Sequence, residues 1–328
     1  MQTVIVIGVI SFASPRALAV GLALAVPLTL TACGAGGESA PADAGDCPTT
    51  PVDVVVSVEQ WGEIVTALGG ACADVTTVLP GNSGDPHDFE PTPADAAAFT
   101  GAQLVVINGG HYDEWAARLA ESTAPDAVVV DAVALLGGDH EGHDHDDHDH
   151  GGANPHAWYS PAAVTDVADA VTATLTELAP DARGYLEARH TEFTAAMQPY
   201  RALIDRIRAG ATGKTYAATE SLFDDMAAAL GLTNRTPPGY QVASSNHADP
   251  SPADLDAFLR LLSDRGVDVL IYNTQTEGSL PQQLRTAAER AGVPVVDVTE
   301  TPAPDAPTFE AWQVAQLTAL AAALGIEA

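Results

Sequence analysis

Four side chains of metal-ligating type follow predicted β-strands, two in each half of the chain. His87 lies just beyond the second predicted strand, within GDPHDFEPTP, and His156 lies within NPHAWYSP, immediately before a predicted helix. Glu220 lies between the first strand and the first helix of the second half, and Glu300 lies just beyond the last strand. Imidazole nitrogens and carboxylate oxygens are common ligands of zinc and related divalent ions. The sequence therefore predicts a divalent-metal site built from these four residues.

A histidine-rich segment, residues 137–153, adds a second group of metal-ligating side chains. It contains no core-forming residue, so we expect a loop that binds metal ions weakly, at several places and with fast exchange. The alternative is a solvated, charged loop without a metal role. Its five histidines are His140, His143, His145, His148 and His150.

Short β-branched runs alternate with Ala-rich amphipathic segments from residue 52 onward. This alternation predicts parallel sheets flanked by helices, and open sheets of this kind bind ligands at the carboxyl ends of their strands. The predicted strands are residues 52–58, 74–79, 102–108, 126–132, 214–218, 267–273 and 293–299, with 240–243 as a further candidate. The predicted helices are residues 59–69, 93–100, 113–121, 161–178, 181–209, 222–230, 252–264, 280–291 and 308–325.

The two series of strands predict an α/β fold of two (β/α) lobes with parallel sheets, joined by a single long helix. The lobes are residues 49–178 and 211–328, and the linking segment is residues 179–210. Pro199 lies inside the linking helix and should kink it, because proline cannot donate a backbone hydrogen bond. If the lobes face each other, the strand-end residues of both lobes meet in the cleft between them.

The chain is strongly acidic, with 44 acidic and 13 basic residues and a formal net charge of −31. Such an excess repels phosphate groups and argues against a role in binding nucleic acid. It suits a protein that meets cations, although an acidic surface that serves solubility alone would have the same composition.

The N-terminal segment, residues 1–32, indicates a signal peptide. Arg16 precedes the apolar run ALAVGLALAVPLTLTA, which is short for a membrane-spanning helix. The tetrapeptide LTAC, ending at Cys33, resembles a bacterial lipobox, whose cysteine is acylated and becomes the first residue of the mature protein. Residues 33–48 would then be a flexible linker. We expect a protein anchored to the outer face of the cell membrane through Cys33; the alternative is an unmodified signal-peptide cysteine.

Two further cysteines, Cys47 and Cys72, flank the first predicted strand and helix. An exported protein meets an oxidising environment, so an intramolecular disulfide between them is the expectation. A metal role is the weaker alternative, because two isolated thiols do not fill a tetrahedral site.

The phrases DPHDFEPTP and NPHAWYSP resemble those of the metal-binding lipoproteins of ABC importers, the family called cluster A-I or cluster 9. The resemblance covers essentially the whole mature chain and implies two (β/α) lobes bridged by a rigid helix. It implies that His87 and His156 are the first two metal ligands and that Glu220 is the third. Glu300 falls where the family usually has aspartate. Glu277 and Asp297 are the alternatives for this fourth position.

The same resemblance implies zinc as the bound ion, with manganese as the alternative. The histidine-rich acidic segment is typical of the zinc-binding members, whereas Glu220 in place of a third histidine is typical of the manganese-binding members. The partners implied are an ABC permease and its ATPase, and we expect a monomer.

Two other functions compete with metal import. An exported zinc hydrolase would need an open coordination position and a general base, yet the sequence contains no HExxH, GxSxG or P-loop pattern. A surface adhesin or metal buffer would rely on the histidine-rich segment alone. We therefore expect a binding protein rather than an enzyme.

Overall fold

The computed structural model describes residues 45–81, 89–136, 154–246, 248–276, 278–302 and 306–327, which all belong to one compact unit, Ala42–Ala328. Across these ranges no helix has the length and apolar character needed to cross a membrane. The five histidines of residues 137–153, His87, Glu277 and Cys33 lie outside the described residues.

The described strands form two parallel four-stranded sheets of the same topology, with order β2-β1-β3-β4 in the first and β6-β5-β7-β8 in the second. The central strands are apolar and buried, which is typical of parallel sheets covered by helices on both faces. The predicted two-sheet α/β fold is thus confirmed. The strands are β1 (Val52–Val58), β2 (Ala73–Leu79), β3 (Leu104–Ile107), β4 (Val128–Asp131), β5 (Thr215–Ala218), β6 (Thr233–Asn234), β7 (Val269–Asn273) and β8 (Val295–Val298).

Helices surround both sheets. Several begin where the sequence indicates: Thr92, Ser160, Ser251 and Thr308 each cap a helix by accepting a hydrogen bond from a backbone N–H of its first turn. The helices are α1 (Glu59–Gly69), α2 (Pro93–Ala98), α3 (Glu114–Thr123), α4 (Ala132–Leu136), α5 (Pro161–Leu178), α6 (Arg183–Ala196), α7 (Gln198–Gly210), α8 (Asp224–Ala229), α9 (Pro238–Ser245), α10 (Pro252–Ser263), α11 (Ser279–Ala291) and α12 (Phe309–Leu324).

The candidate strand at residues 240–243 is wrong, because these residues lie inside α9. Pro238 is in the first turn of that helix, where its missing N–H costs nothing. The strand that pairs with β5 lies earlier and is only two residues long, Thr233–Asn234. A strand this short leaves too little alternation in the sequence to be recognised.

The linking helix predicted at residues 181–209 is present as two consecutive helices, α6 and α7, which meet at Met197. Pro199 lies in the first turn of α7, so its missing N–H interrupts the backbone ladder at that point. The expected effect of Pro199 is present, but it is a break between two helices and not a kink within one.

Both halves of the chain contribute to the same core. Buried residues of β1, β3 and β5 belong to one apolar cluster with α5, α7 and α12. A second, smaller cluster, which includes Phe258 and Leu284, packs against the other face of the second sheet. At the start of the fold, a disulfide joins Cys47 to the buried Cys72, as expected, and ties the segment before β1 to the turn after α1.

Candidate metal centre

Polar residues follow the carboxyl ends of the parallel strands in both sheets. Asn108 comes directly after β3, and Asn273 is the last residue of β7, the corresponding strand of the second sheet. Glu220 and Glu300 each lie two residues beyond their strands, β5 and β8. Because these strands are parallel neighbours, their carboxyl ends share one edge of the sheet and bring Glu220, Asn273 and Glu300 together.

The two glutamates are joined through one side-chain amide. The Nδ2 of Asn273 donates to Oε2 of Glu220 at 2.6 Å and to Oε1 of Glu300 at 2.9 Å. The hydroxyl of Thr276 donates to the other oxygen of Glu220. Glu300 is 9% exposed and Asn273 is 1% exposed, so this arrangement is largely shielded from water. Two carboxylates this close would repel each other, and the amide between them offsets part of that repulsion.

The backbone around Glu300 is held from both halves of the chain. The Oε1 of Gln275 accepts the N–H of Glu300 at 2.6 Å and the N–H of Thr301 at 3.1 Å. From α1, the Nε2 of Gln60 donates to the carbonyl of Glu300 at 2.9 Å. The backbone of Glu300 is therefore held by Gln60 from the first half of the chain and by Gln275 from the second half.

His156 lies 6% exposed in the segment that leads into α5. The Oδ1 of Asn154 accepts the backbone N–H of His156 at 3.1 Å and lies 2.9 Å from its Nδ1. Since that oxygen is an acceptor, Nδ1 carries the proton and Nε2 is the nitrogen with a lone pair, which is the form of imidazole that binds metal. The amide nitrogen of Asn154 donates to the carbonyl of Ser221 at 2.9 Å, next to Glu220.

Aromatic side chains connect the histidine to the glutamates. The ring of Tyr112 lies 6.1 Å from that of His156 and 5.0 Å from that of Trp158, centroid to centroid. The hydroxyl of Tyr112 donates to Oε2 of Glu300 at 3.3 Å. The hydroxyl of Tyr159 lies 2.8 Å from the carbonyl of Thr299, the residue before Glu300. These rings exclude water from one side of the site and connect the two halves.

Burial shifts the pKa values of several acids around this edge. Burial raises the pKa of Asp113, which accepts the backbone N–H groups of Asn108 and Gly109 at 2.7 and 2.8 Å. Burial also raises the pKa of Asp224, at the start of α8, to about 6, although the hydroxyl of Tyr216 donates to it at 2.7 Å and works in the opposite direction. The pKa of Tyr240 is raised mainly by burial and further by the charge of Glu220.

The described residues supply part of the predicted ligand set. They contain no cluster of three or more His, Cys, Asp and Glu side chains able to hold a metal ion alone. They include His156, in the segment that leads into α5, and the pair of Glu220 and Glu300 joined through Asn273. His87, the remaining predicted ligand, lies outside these residues, so the set of four stays a prediction.

Comparisons with known proteins identify the family of the chain. A family model described as the zinc-uptake complex component A, periplasmic (ZnuA) matches residues 54–323. The chain belongs to this family. It is similar to the high-affinity zinc uptake system protein ZnuA of Bacillus subtilis, with 30% identity over 254 residues, covering 75% of this chain and 77% of the relative.

Two further similarities bear on this ZnuA-family protein. The manganese-binding lipoprotein MntA of Halalkalibacterium halodurans is 29% identical over 133 residues, covering 39% of this chain and 40% of the relative. The manganese-bound periplasmic metal-binding protein of Candidatus Liberibacter asiaticus superposes with a TM-score of 0.68 over 83% of this chain and 99% of its own, at 18% identity. At that identity the likeness shows a shared fold.

The structure separates Glu300 from Asp297, one of its proposed alternatives. Asp297 lies on the outward face of β8, where its carboxylate is 51% exposed and pairs with Arg285 of α11 at 2.7 Å. Alternation along β8 turns Asp297 away from Asn273, whereas Glu300 contacts Asn273. Two other histidines lie away from this site: His111 is an exposed loop residue bonded to Glu114, and His190 of α6 pairs with Asp169 at 2.7 Å.

Sequence reasoning did not identify the amides that position the site, which are Asn108, Asn154, Asn273, Gln60 and Gln275. A signal for two of them was available. The runs LVVIN and VLIYN each end a buried strand on asparagine, at matching positions of the two series. A polar residue that closes an otherwise apolar strand is a candidate for the ligand edge of the sheet.

Proposed function

We propose that this chain is the extracytoplasmic solute-binding component of an ABC importer for a transition-metal ion, with zinc as its cargo and manganese as the alternative. The ion would be held by His87, His156, Glu220 and Glu300 and handed to the permease and its ATPase. Membership of the zinc-uptake family supports the transport role. The observation that carries the site is the coupling of Glu220 and Glu300 through Asn273 at the edge that also presents His156.

The chemistry of the donor set agrees with this cargo. Two carboxylates match the charge of a divalent cation, and neutral imidazole is a preferred zinc ligand. A nearly buried site with four protein ligands leaves no open position for a substrate, which favours binding over hydrolysis. The family match and the Bacillus subtilis relative, whose alignment covers more of the chain than that of the manganese-binding relative, favour zinc over manganese. The intrinsic affinity order of divalent metals also favours zinc.

The proposal extends to location. The lipobox-like LTAC sequence supports acylation of Cys33 and attachment to the outer face of the membrane, and the disulfide between Cys47 and Cys72 is compatible with an oxidising compartment. Mass spectrometry of the protein isolated from its own membrane would show a diacyl or triacyl modification on an N-terminal Cys33. An unmodified cysteine, or a signal peptide still attached, would contradict the anchor.

Metal titration of the mature chain tests the site. Purified, metal-stripped protein should bind one Zn²⁺ tightly, and His156→Ala, Glu220→Gln and Glu300→Gln should each weaken binding by at least about tenfold. Asp297→Asn is the matched control, because it removes a carboxylate from the same strand end but on the exposed face, and it should leave affinity unchanged. Equal affinity in the wild type and in Glu300→Gln would refute the site.

Deletion of residues 137–153 distinguishes import from metal buffering by the histidine-rich segment. The proposed site predicts that one tight Zn²⁺ remains after the deletion and that only weak, additional binding is lost. Loss of all binding would favour the adhesin or buffer, in which the segment acts alone.

A further inference from the structure

One asparagine amide joins the two halves of the chain at the proposed metal site. The Oδ1 of Asn154 accepts the backbone N–H of His156 at 3.1 Å, and it lies 2.9 Å from the Nδ1 of the same histidine. The Nδ2 of Asn154 donates to the carbonyl of Ser221 at 2.9 Å. Ser221 follows Glu220 directly, so a single planar group connects the segment of one proposed ligand to the turn of another.

The orientation of this amide is fixed by its two partners. The carbonyl of Ser221 can only accept a hydrogen bond and must face the amide nitrogen, whereas the backbone N–H of His156 can only donate and must face Oδ1. Asparagine supplies a donor and an acceptor in one short, rigid group. Ionised aspartate offers only acceptors and alanine offers neither, so this contact between the halves depends on the asparagine amide.

Both ends of the connection are anchored in the fold. In the first half, the amide of Asn108, directly after β3, donates to the carbonyl of Pro155 at 2.6 Å. In the second half, the carbonyl of Ser221 also accepts the backbone N–H of Asp224, which closes a short 3₁₀ turn. Glu220 lies immediately before that turn. The connection therefore runs from the first sheet to the turn that follows β5 of the second.

We propose that Asn154 is a positioning residue that couples the contributions of His156 and Glu220 to metal binding across the two halves. This proposal rests on the proposed function, because it assumes that both side chains bind the ion. With the amide in place, the histidine segment and the glutamate turn keep their separation in the metal-free protein, so binding requires less ordering of the two segments. Without the amide, each segment moves independently and must be ordered separately when the ion binds.

Double-mutant cycles with Zn²⁺ on the metal-stripped mature chain test the coupling. In the wild-type background, Asn154→Ala should lower zinc affinity about 10- to 100-fold. In the His156→Ala and the Glu220→Gln backgrounds, the same change should have an effect at least about threefold smaller, because one of the two coupled ligands is already lost. A residue that only oriented His156 would keep its full effect in Glu220→Gln.

The chain offers a matched control for the local turn that Asn154 makes. Asn234 is also half-buried, and its Oδ1 accepts the backbone N–H of Thr236, two residues on, at 2.8 Å. The amide nitrogen of Asn234 faces Asp224 of the same half at 3.4 Å. Asn234→Ala therefore removes an equivalent turn without touching a contact between the halves, and it should leave zinc affinity unchanged.

Hydrogen exchange of the metal-free protein provides a second readout that needs no ion. Asn154→Asp keeps an acceptor toward the histidine but turns an oxygen toward the carbonyl of Ser221. The amide of Asp224, which donates to that carbonyl, should then exchange about five- to tenfold faster than in the wild type. The amide of Leu270 in β7, which donates to the carbonyl of Pro294 at 2.9 Å, should exchange at the wild-type rate, because the core is unaffected.

The outcomes separate this inference from the proposed function. An equal loss of zinc affinity from Asn154→Ala in all three backgrounds overturns the coupling, and so does a full loss in Glu220→Gln. If the alanine variant does not fold, unchanged exchange at Asp224 in Asn154→Asp overturns it. In each of these cases, zinc binding that depends on His156 and Glu220 leaves the proposed function standing. Wild-type protein that binds no zinc, or binds it equally well without these two side chains, overturns the proposed function and this inference with it.

Discussion

Asn108 and Asn273 occupy corresponding positions in the two sheets. The side-chain amide of each donates a hydrogen bond to a proposed metal ligand or to the residue next to one. Asn108 follows β3 and donates to the carbonyl of Pro155, next to His156, at 2.6 Å. Asn273 ends β7 and donates to Glu220 and Glu300. The repeated topology thus places equivalent supporting groups on the two sides of the proposed site.

Substitution of Asn108 by alanine should destabilise the fold and loosen His156. Asn108 is fully buried, accepts the indole N–H of Trp61 at 3.0 Å and donates to Pro155. Alanine would leave that N–H and that carbonyl buried without a partner, at a cost of about 2 to 4 kcal/mol. Urea denaturation of the metal-free protein measures the loss. Asn246→Ala, which removes an exposed asparagine bonded within its own helix end, should change stability little; a similar loss in both variants would contradict this account.

Two buried tyrosines should respond in opposite ways to removal of their hydroxyl groups. The hydroxyl of Tyr159 lies 2.8 Å from the carbonyl of Thr299 and 2.9 Å from Oε1 of Gln316, so Tyr159→Phe should cost about 1 to 2 kcal/mol. The hydroxyl of Tyr200 is buried and has no hydrogen-bond partner among the residues of the described ranges. Tyr200→Phe should therefore leave stability unchanged or raise it. Thermal unfolding of the two variants makes the comparison, and equal destabilisation would show that these contacts are misassigned.

The raised pKa of Asp224 predicts a specific pH dependence of stability. Burial raises this pKa from 3.8 to about 6, so between these values the folded state binds more protons than the unfolded state. The contribution of Asp224 to the free energy of unfolding therefore falls as the pH rises through this window. At about 1.4 kcal/mol per pH unit, the stability of Asp224→Asn minus that of the wild type should increase by about 2 to 3 kcal/mol from pH 3.5 to pH 7.

Urea denaturation in the presence of a metal chelator measures that difference without a contribution from bound metal. Glu121→Gln, at an exposed helix position, controls for the loss of one acidic side chain. A profile of Asp224→Asn that runs parallel to the wild type would show that Asp224 titrates near its ordinary range.

Removal of the disulfide should destabilise the protein without altering its metal selectivity. Cys47 and Cys72 are separated by 25 positions, and a loop of that length corresponds to about 3 kcal/mol from the entropy of the unfolded chain. The double variant Cys47→Ser, Cys72→Ser should unfold at lower urea concentration, and reduced wild-type protein should behave alike. The zinc-to-manganese affinity ratio should stay the same, because the bond lies at the start of the fold; a changed ratio would argue for a metal role of these cysteines.

The sequence by itself determined the elements and the edge at which the site lies. Apolar runs such as Leu104–Ile107 and residues 269–272 predict buried strands, since a strand covered on both faces is apolar on both. The parallel arrangement then requires that residues after strand ends share one edge, which is why Glu220 and Glu300 were predicted to meet. The pairing of Cys47 with Cys72 followed from composition and compartment.

Tertiary structure decided which polar groups at that edge touch each other, because a hydrogen bond depends on positions in space that pattern does not encode. Glu220, Asn273 and Glu300 come from three separate strand ends, and only the packed sheet brings one amide within reach of both carboxylates. Strand alternation turned Asp297 outward and left Glu300 at the site. Local backbone hydrogen bonds likewise set the division of the linking helix at Met197 and the two-residue strand β6. Sequence patterns over a few residues predict such features poorly.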